Sequence, residues 1–548
     1  VSMGIAKVDP RSGEILKSDI IMSDGWVRSW LGDLDLLAPN FTQTMAPKTG
    51  YRFEATSGID LKLGQRRMPG RLFTDNWGDK LSLLSTAFGK PVDGRTREDV
   101  LGQGLKSVVT HETGHILGLR HNFKGSMGVS YACTRNAACT AEHGLTASVM
   151  DYVPVNLPSA DAPDVYLFSP VLGGYDKLAI QFGYMDLPTN ESREAKSAEA
   201  LQNVLSAAET FETCYDDDRM MKQDPSCAAY DISADPIKAK QDEIARLVQV
   251  QASLINTSVM PGAPYMHYGK AVDTVLALAE NNGVRLIDWI GGVTNSYVHR
   301  NLDGSKPKRV ARQPVPQRVQ RQALALMLRI LRPEKAGLVP LQNDLAYLVS
   351  TSGQGSVQTL DLAVRIRDIR RQLIGKSLAS SQILRIHAQE QLDRNNAAEH
   401  AFGVGDFLSA FVQEVVGEGL TTADSHEWEL HTLLVRGLII LYETVGLPDS
   451  IEAHLVHHLR HLHKQTEAAL LQVSSQASDS AKPEMADIQL AHLLSLKGRL
   501  RKTLCGTNGT SCQVLDSAAA PRVSFNLLGS FRLMLAALPA VVSICTAA

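Results

Sequence analysis

Apolar residues follow two different spacings along the chain, and the change between them divides it into two regions. Up to about residue 98, short apolar runs such as Ile15 to Met22 and Leu61 to Leu63 are separated by Gly, Pro and Asp turns, which predicts strands. From about residue 195 onward, apolar positions recur at steps of three and four, as in EIARLVQVQASLI and LDLAVRIRDIRRQLI. The pattern therefore predicts a sheet-bearing N-terminal part followed by a mainly α-helical region.

Between these regions, apolar positions at helical spacing surround the string HETGHILGLRH at residues 111–121. On a helix, His111 and His115 point the same way from adjacent turns, so one metal ion can lie between them. Gly118 lacks a Cβ and lets the helix end in a left-handed turn that carries the chain back toward the metal. The spacing predicts His121 as the third ligand.

Three neutral imidazoles leave Zn²⁺ an open fourth position for water, whose pKa falls from about 15.7 to about 7 on the metal. Glu112 lies on the same side of the helix, one residue beyond the first ligand. In that place a carboxylate can hold the water without filling a coordination position, which is the arrangement of a general base.

The motif HExxHxxGxxH, followed by Ser148-Val149-Met150-Asp151-Tyr152, resembles the signature of the metzincin clan of metallopeptidases and its Met-turn. The strings VVTHETGHILGLRHNFKGS, ASVMDY, VDPRSGEILKSDIIM and GGYDKLAIQFGY are similar to large zinc-dependent metalloproteases of bacterial type. This resemblance covers about residues 1–190. It implies one catalytic Zn²⁺ on His111, His115 and His121, with Met150 as an apolar floor beneath the imidazoles. Tyr152 would bind the metal at rest, donate a hydrogen bond to the oxyanion, or simply pack.

The resemblance also implies an α+β fold, with a twisted mixed sheet above the active-site helix and a helical lower subdomain. We expect a metzincin-like catalytic domain at residues 1–194, a mainly α-helical region at 195–515 with a loop near 350–356, and a small-residue linker and apolar tail at 516–548. In metzincins an edge strand of the upper sheet pairs with substrate, so the expected partner is an extended protein or peptide.

The implied function is that of a zinc endopeptidase in which Glu112 takes a proton from the attacking water and later passes it to the leaving amine. Two alternatives stay open at this stage. One is an inactive zinc-containing scaffold, although the retained Glu112 argues against it. The other is a zinc hydrolase of a non-peptide amide or ester, which would share the same metal ligands.

Seven cysteines fall in close pairs at 133/139, 214/227 and 505/512, with Cys545 apart. Small-loop disulfides fit this pattern, and zinc binding by thiolates is the competing interpretation, although no CxxC occurs. Disulfides would place the protein outside the cell, in the periplasm or on the secretory route. No signal peptide is recognisable from Val1 onward, so this expectation rests on the cysteines and on the family resemblance.

A net charge of −3 gives no electrostatic case for nucleic acid as a partner. The chain closes with LMLAALPAVVSICTAA, through which alone we expect any membrane association. A docked amphipathic or buried tail, a GPI-attachment signal and a membrane segment remain alternatives for it.

Two further histidine groups are predicted not to bind metal. Between His454 and His463, the pattern predicts an amphipathic helix in which the leucines face the protein and the histidines form the polar flank. In SHEWELH, His426 and His431 are out of phase on a helix.

Overall fold

The computed structural model describes residues 2–22, 97–157, 164–185, 210–220, 224–259, 264–298, 310–351, 357–393, 402–417, 419–477 and 483–505, with a few single residues and short pieces between these ranges. The chain divides into two compact units, Val1–Leu455 and Val456–Ala548. The predicted boundaries at 194 and 515 both fall outside the described residues and stay predictions.

The predicted strand at Ile15 to Met22 is confirmed. The first elements are strand β1 (Ser2–Val8), strand β2 (Ile15–Met22) and helix α1 (Arg97–Ile116). β1 and β2 pair antiparallel, with Ser2 opposite Met22, and both lie against α1. The predicted run Leu61 to Leu63 lies outside the described residues.

Short helices follow α1 and surround the Met-turn. They are α2 (Tyr131–Thr134), α3 (Ala137–His143), α4 (Gly174–Tyr184) and α5 (Asp216–Met220), with a 3₁₀ turn at Ser126–Gly128. A disulfide between Cys133 and Cys139 joins α2 to α3, as the close pair predicts. α4 is formed by the string GYDKLAIQFGY.

The rest of the first unit is mainly helical, which confirms the predicted character of the region. Its elements are α6 (Pro236–Ser258), α7 (Met266–Trp289), β3 (Val293–Asn295), β4 (Arg312–Pro314), α8 (Gln317–Ile330), a 3₁₀ helix (Gln342–Tyr347), β5 (Val349–Thr351), β6 (Val357–Thr359), α9 (Leu362–Ser377), α10 (Ser380–Asp393), α11 (Val404–Val416), α12 (Ser425–Tyr442) and the start of α13 (Asp449–Ala477).

Helix α7 forms the centre of this helical part, because it packs against α6, α8 and α9. Its apolar positions recur at helical spacing and are almost fully buried: Ala271, Val272, Val275, Leu276, Ala279 and Leu286. β3 pairs antiparallel with β4, and β5 with β6. Two residues of the loop expected near 350–356 therefore belong to β5, and residues 352–356 lie outside the described part.

The second unit contains residues 456–477 of α13 and helix α14 (Pro483–Cys505) among its described residues. Leu459, Leu462, Leu493 and Leu496 are buried, and Lys497 on α14 forms a salt bridge of 2.9 Å with Glu467 on α13. Cys505, at the end of α14, is disulfide-bonded.

No helix in the described part of the chain is long and apolar enough to cross a membrane. The apolar C-terminal tail lies outside that part, so its three alternatives stay predictions.

Candidate metal centre

Helix α1 carries the first two predicted ligands in its last turns. His111 and Glu112 are both buried, and Gly118 beyond the end of the helix adopts φ +89. This is a left-handed conformation that suits a residue without Cβ. The turn directs the chain back so that His121 approaches His115, as the motif predicts.

The three histidines meet at one point. One ring nitrogen from each of His111, His115 and His121 lies within 4.8 Å of the others. The Nε2 atoms of His115 and His121 are 3.2 Å apart. The rings of His111 and His115, and those of His115 and His121, are packed edge to face.

The hydrogen bonds of the opposite ring nitrogens fix the tautomer of each imidazole. His111 Nδ1 lies 2.8 Å from the carbonyl oxygen of Val149, and His115 Nδ1 lies 3.0 Å from that of Leu119. His121 Nδ1 lies 2.9 Å from a carboxylate oxygen of Asp216. Carbonyl and carboxylate oxygens only accept hydrogen bonds, so each Nδ1 is the donor.

Each Nε2 therefore carries a lone pair that points toward the other rings. Two such lone pairs 3.2 Å apart repel each other unless a cation or a proton lies between them. Three neutral imidazole nitrogens are a ligand set that suits Zn²⁺. The residues thus fit the metal that the sequence predicts.

In His111 and His121, burial favours the neutral form of the ring, which is the form that binds metal. It lowers the pKa of His111 to about 4, and the hydrogen bond to Val149 offsets only part of this effect. Burial also lowers the pKa of His121, against the opposing hydrogen bond and charge of Asp216. Because metal ligands must be deprotonated, both shifts favour metal binding near neutral pH.

The predicted Met-turn lies directly beneath α1. Met150 is fully buried, and a Cβ added at Gly114 would lie 2.2 Å from its Sδ. The glycine inside the HETGH string thus permits this close approach. The backbone N–H of Asn122 donates to the carbonyl oxygen of Met150, which ties the third-ligand loop to the turn.

A buried aspartate holds the Met-turn in place. The carboxylate of Asp176, at the start of α4, accepts hydrogen bonds from Ser148 Oγ (2.7 Å), Val149 N (2.8 Å) and Gly173 N (3.0 Å). The carbonyl oxygen of Val149 orients His111. By holding the Met-turn, Asp176 therefore also helps to fix the orientation of His111.

Tyr152 lies beside the third ligand. Its hydroxyl is 2.8 Å from Nε2 of His121, the atom that would bind the metal. Its ring packs against those of His121 and Tyr230, with centroids 4.7 Å and 5.9 Å away.

Glu112 faces strand β1. Its Oε2 accepts a hydrogen bond of 2.7 Å from the backbone N–H of Gly4. A Cβ at Gly4 would lie 2.3 Å from the carbonyl oxygen of Glu112, so this contact requires glycine.

Sequence reasoning did not find Asp216 and Asp176. Asp216 is separated from His121 by 95 positions and follows Cys214, whose disulfide with Cys227 closes the loop. An acidic run next to a predicted disulfide was the available signal. Arg120 pairs with the exposed carboxylate of Asp217 at 3.0 Å. Asn122 accepts a hydrogen bond from Cys214 N, so it supports the loop.

The other histidine groups form no such centre. In the described part of the chain, His111, His115 and His121 are the one group of at least three His, Cys, Asp or Glu side chains close enough to hold a metal. In the SHEWELH string, Glu427 forms an ion pair with Arg332 instead. His454 and His461 are exposed, as expected of a polar flank, whereas His458 and His463 are buried.

Comparisons with known proteins support the same interpretation. A family model described as Met-zincin matches residues 93–422, more than half of the chain, and this range includes the three histidines. Neither curated proteins nor solved structures gave a significant match. The matched range, the histidine cluster and the α+β fold agree in indicating a zinc metallopeptidase-type fold. The chain belongs to the Met-zincin family.

Proposed function

We propose that the protein is a zinc-dependent endopeptidase that hydrolyses peptide bonds with Glu112 as general base and acid. The observation that carries this proposal is the convergence of one ring nitrogen from each of His111, His115 and His121, near the buried carboxylate of Glu112. An inactive zinc scaffold would not need that carboxylate.

His111, His115 and His121 would hold the metal. When bound, Zn²⁺ supplies a Lewis acid that acidifies a water molecule and polarises the scissile carbonyl group. Oε2 of Glu112 accepts the hydrogen bond from Gly4 N–H, which fixes the carboxylate. We therefore assign Oε1 as the oxygen that accepts the proton of the attacking water. Glu112 takes the proton of this water at Oε1 and then gives it to the leaving amine nitrogen. No covalent acyl-enzyme forms, because the nucleophile is the water that Glu112 deprotonates and not a side chain of the protein.

Tyr152 is the hydrogen-bond donor that we assign to the developing oxyanion. Its hydroxyl lies 2.8 Å from Nε2 of His121, so it faces the metal position rather than the protein core. The ring is held by stacking on Tyr230, and a backbone hydrogen bond of 2.6 Å from Tyr230 N to the carbonyl oxygen of Tyr152 fixes the segment. A donor held in advance needs little reorganisation during the reaction.

The proposed substrate is an extended protein or peptide that binds along β1. The N–H of Gly4 donates to Glu112, so it points away from β2. In an antiparallel ladder the backbone groups of alternate residues face the same edge, so those of Ser2 and Ala6 point the same way as those of Gly4. β2 is the one strand partner of β1 in the described part of the chain. Because Glu112 keeps the N–H of Gly4, an extended peptide would pair with the backbone groups of Ser2 and Ala6 on this edge.

The disulfides Cys133–Cys139 and Cys214–Cys227 suggest an extracellular or secreted protein. We propose that it acts outside the cell, in the periplasm, or within the secretory pathway or at the cell surface.

Digestion of a synthetic peptide library, followed by mass spectrometry, tests the proposed function. We expect the zinc-loaded protein to cut internal peptide bonds, a chelator to stop cleavage and added Zn²⁺ to restore it. Hydrolysis of ester or acyl-amide substrates without peptide cleavage would favour the non-peptide hydrolase. A zinc-loaded protein that hydrolyses neither class would favour the scaffold.

A further inference from the structure

We propose that Asp216 is a positioning residue for the third metal ligand and that the Cys214–Cys227 disulfide loop serves to present it. Asp216 would fix the orientation and tautomer of His121 and thereby raise the affinity of the site for zinc. This inference rests on the proposed zinc site but not on peptide cleavage.

The three ligands are oriented by different kinds of group. Backbone carbonyl oxygens of Val149 and Leu119 accept the hydrogen bonds from His111 and His115. His121 donates instead to the side chain of Asp216, at 2.9 Å. A carboxylate behind a metal-bound imidazole fixes the ring and makes it a stronger ligand.

His121 is also the ligand with the least support from its own element. His111 and His115 lie on α1, which ends at Ile116, whereas His121 lies beyond the left-handed turn at Gly118. Its ring position therefore depends on contacts that other segments make with its loop.

The disulfide loop supplies those contacts. Phe123 N donates to the carbonyl oxygen of Cys214 at 2.8 Å, and Cys214 N donates to Oδ1 of Asn122 at 3.0 Å. These two bonds join Asn122 and Phe123, the two residues that follow His121, to Cys214, which lies two positions before Asp216. They hold the Cys214 segment against the His121 loop, so that the carboxylate of Asp216 lies at Nδ1 of His121.

The far end of the same loop holds Tyr152. Cys227 packs with Phe123 and Cys214 in a buried cluster, against which Tyr152 and Tyr230 lie. Tyr230 N donates to the carbonyl oxygen of Tyr152 at 2.6 Å. One disulfide-closed loop therefore supports both His121 and the tyrosine beside it.

Asp217 provides a matched control one residue away. It forms a salt bridge of 3.0 Å with Arg120, and its side chain is 84% exposed. Asp217→Asn removes a charge of the same sign from the same loop, without touching the hydrogen bond to His121.

The experiment measures the zinc affinity of the full chain by competition with a chromophoric chelator, for wild type, Asp216→Ala, Asp216→Asn and Asp217→Asn. We expect Asp216→Ala to lower the affinity by about 10- to 100-fold. Asp216→Asn keeps an acceptor oxygen, so its zinc affinity should fall less. The zinc affinity of Asp217→Asn should stay within about twofold of that of wild type. The unfolding temperature of each metal-free variant reports whether the fold itself has changed.

The visible absorption of the cobalt-substituted protein gives a second readout, which a purely structural role would not move. We expect the band positions to differ between Asp216→Ala and wild type but not between Asp217→Asn and wild type. Unchanged zinc affinity and spectrum in Asp216→Ala would overturn the inference, as would equal losses in the Asp216 and Asp217 variants or a wild-type protein that binds no zinc. A protein that binds zinc with the expected ranking but cleaves no peptide would overturn the proposed function alone.

Discussion

At the scale of single residues, Tyr152 is the side chain whose assigned role is easiest to separate from metal binding. Replacement by phenylalanine removes the hydroxyl beside Nε2 of His121 and keeps the ring that stacks on Tyr230. Loss of one oxyanion donor costs about 10²- to 10³-fold in kcat. We expect a decrease of that size for Tyr152→Phe, with little change in KM or in bound zinc, as measured by steady-state peptide cleavage and metal analysis.

Tyr184→Phe is the matched control for this prediction. Its hydroxyl donates to the carbonyl oxygen of Leu117, just beyond the end of α1, and has no contact with the ligands. It should retain near wild-type kcat. An unchanged kcat in Tyr152→Phe would show that Tyr152 simply packs.

The residues that bind the metal could be predicted from sequence because their spacing is local. His111 and His115 lie one helical turn apart, and Gly118 permits the turn that returns His121. Asp216 and Asp176 could not be predicted in this way. Each reaches the site through tertiary contacts, across 95 positions in one case and through the Met-turn in the other.

At the scale of elements, the contact between β1 and α1 places Glu112 under a strand edge. In Gly4→Ala, the new Cβ would lie 2.3 Å from the carbonyl oxygen of Glu112, so β1 would have to move away. The hydrogen bond to Oε2 would then lengthen or break. We expect kcat/KM to fall by about tenfold or more, since a small misplacement of catalytic groups has large effects on rate.

Gly102→Ala is the control on the same helix. A Cβ at Gly102 meets nothing within 4 Å, and alanine stabilises a helix interior by roughly 0.5–1 kcal/mol relative to glycine. Its kcat/KM should be unchanged and its unfolding temperature slightly higher. A Gly4→Ala protein as active as Gly102→Ala would contradict the assigned contact.

The two disulfides should differ in their effect on the metal. The closed loops span 13 residues for Cys214–Cys227 and 6 for Cys133–Cys139. In the chain-entropy model either bond contributes about 2–3 kcal/mol to the free energy of unfolding. Replacing either pair by serines should therefore lower stability to denaturant by a similar amount. Only the loss of Cys214–Cys227 should also lower zinc affinity.

Chelator competition on the two double variants measures this difference. If removal of Cys133–Cys139 lowered zinc affinity as much as removal of Cys214–Cys227, the loop would have no specific connection with His121.

Elements with a strong local pattern could be predicted, and their packing could not. The apolar run at Ile15 to Met22 predicted β2, and the helical spacing around the HETGH string predicted α1. That β1 lies on α1 with Gly4 at Glu112 depends on a close backbone approach between distant segments. Periodicity carries no information on such an approach.

At the scale of the whole molecule, Glu427 connects α12 with the segment after α8. It forms ion pairs with Arg332 at 2.9 Å and Lys335 at 3.0 Å. Burial alone would raise the pKa of Glu427, but hydrogen bonds and charges from Arg332 and Lys335 outweigh burial and lower it to about 2. Because the folded-state pKa of Glu427 lies below its ordinary value of 4.5, the stabilisation is full above that pH and is lost as the pH falls toward 2.

Glu427→Gln should therefore be less stable than wild type at pH 7, by about 1.5–3 kcal/mol for the lost charge-assisted hydrogen bonds. The difference should narrow as the pH falls below about 4.5. Urea unfolding of both proteins from pH 7 to pH 3 measures it, with the exposed Glu443→Gln as control. A difference in the free energy of unfolding that stayed constant over this range would contradict the lowered pKa of Glu427.

The helical character of the region after residue 195 was predicted correctly from the spacing of its apolar residues. The packing of α7 against three other helices could not be predicted, because many pairings satisfy the same amphipathic patterns.

The central claim is that three histidines hold one zinc ion whose chemistry depends on Glu112. Titration of the metal-free protein with Zn²⁺, with peptide cleavage followed at each step, tests it most directly. We expect activity to rise linearly and to level off at one equivalent, whereas Glu112→Gln takes up one equivalent and stays inactive. Comparable cleavage by zinc-loaded Glu112→Gln, or by wild type without metal, would contradict the account.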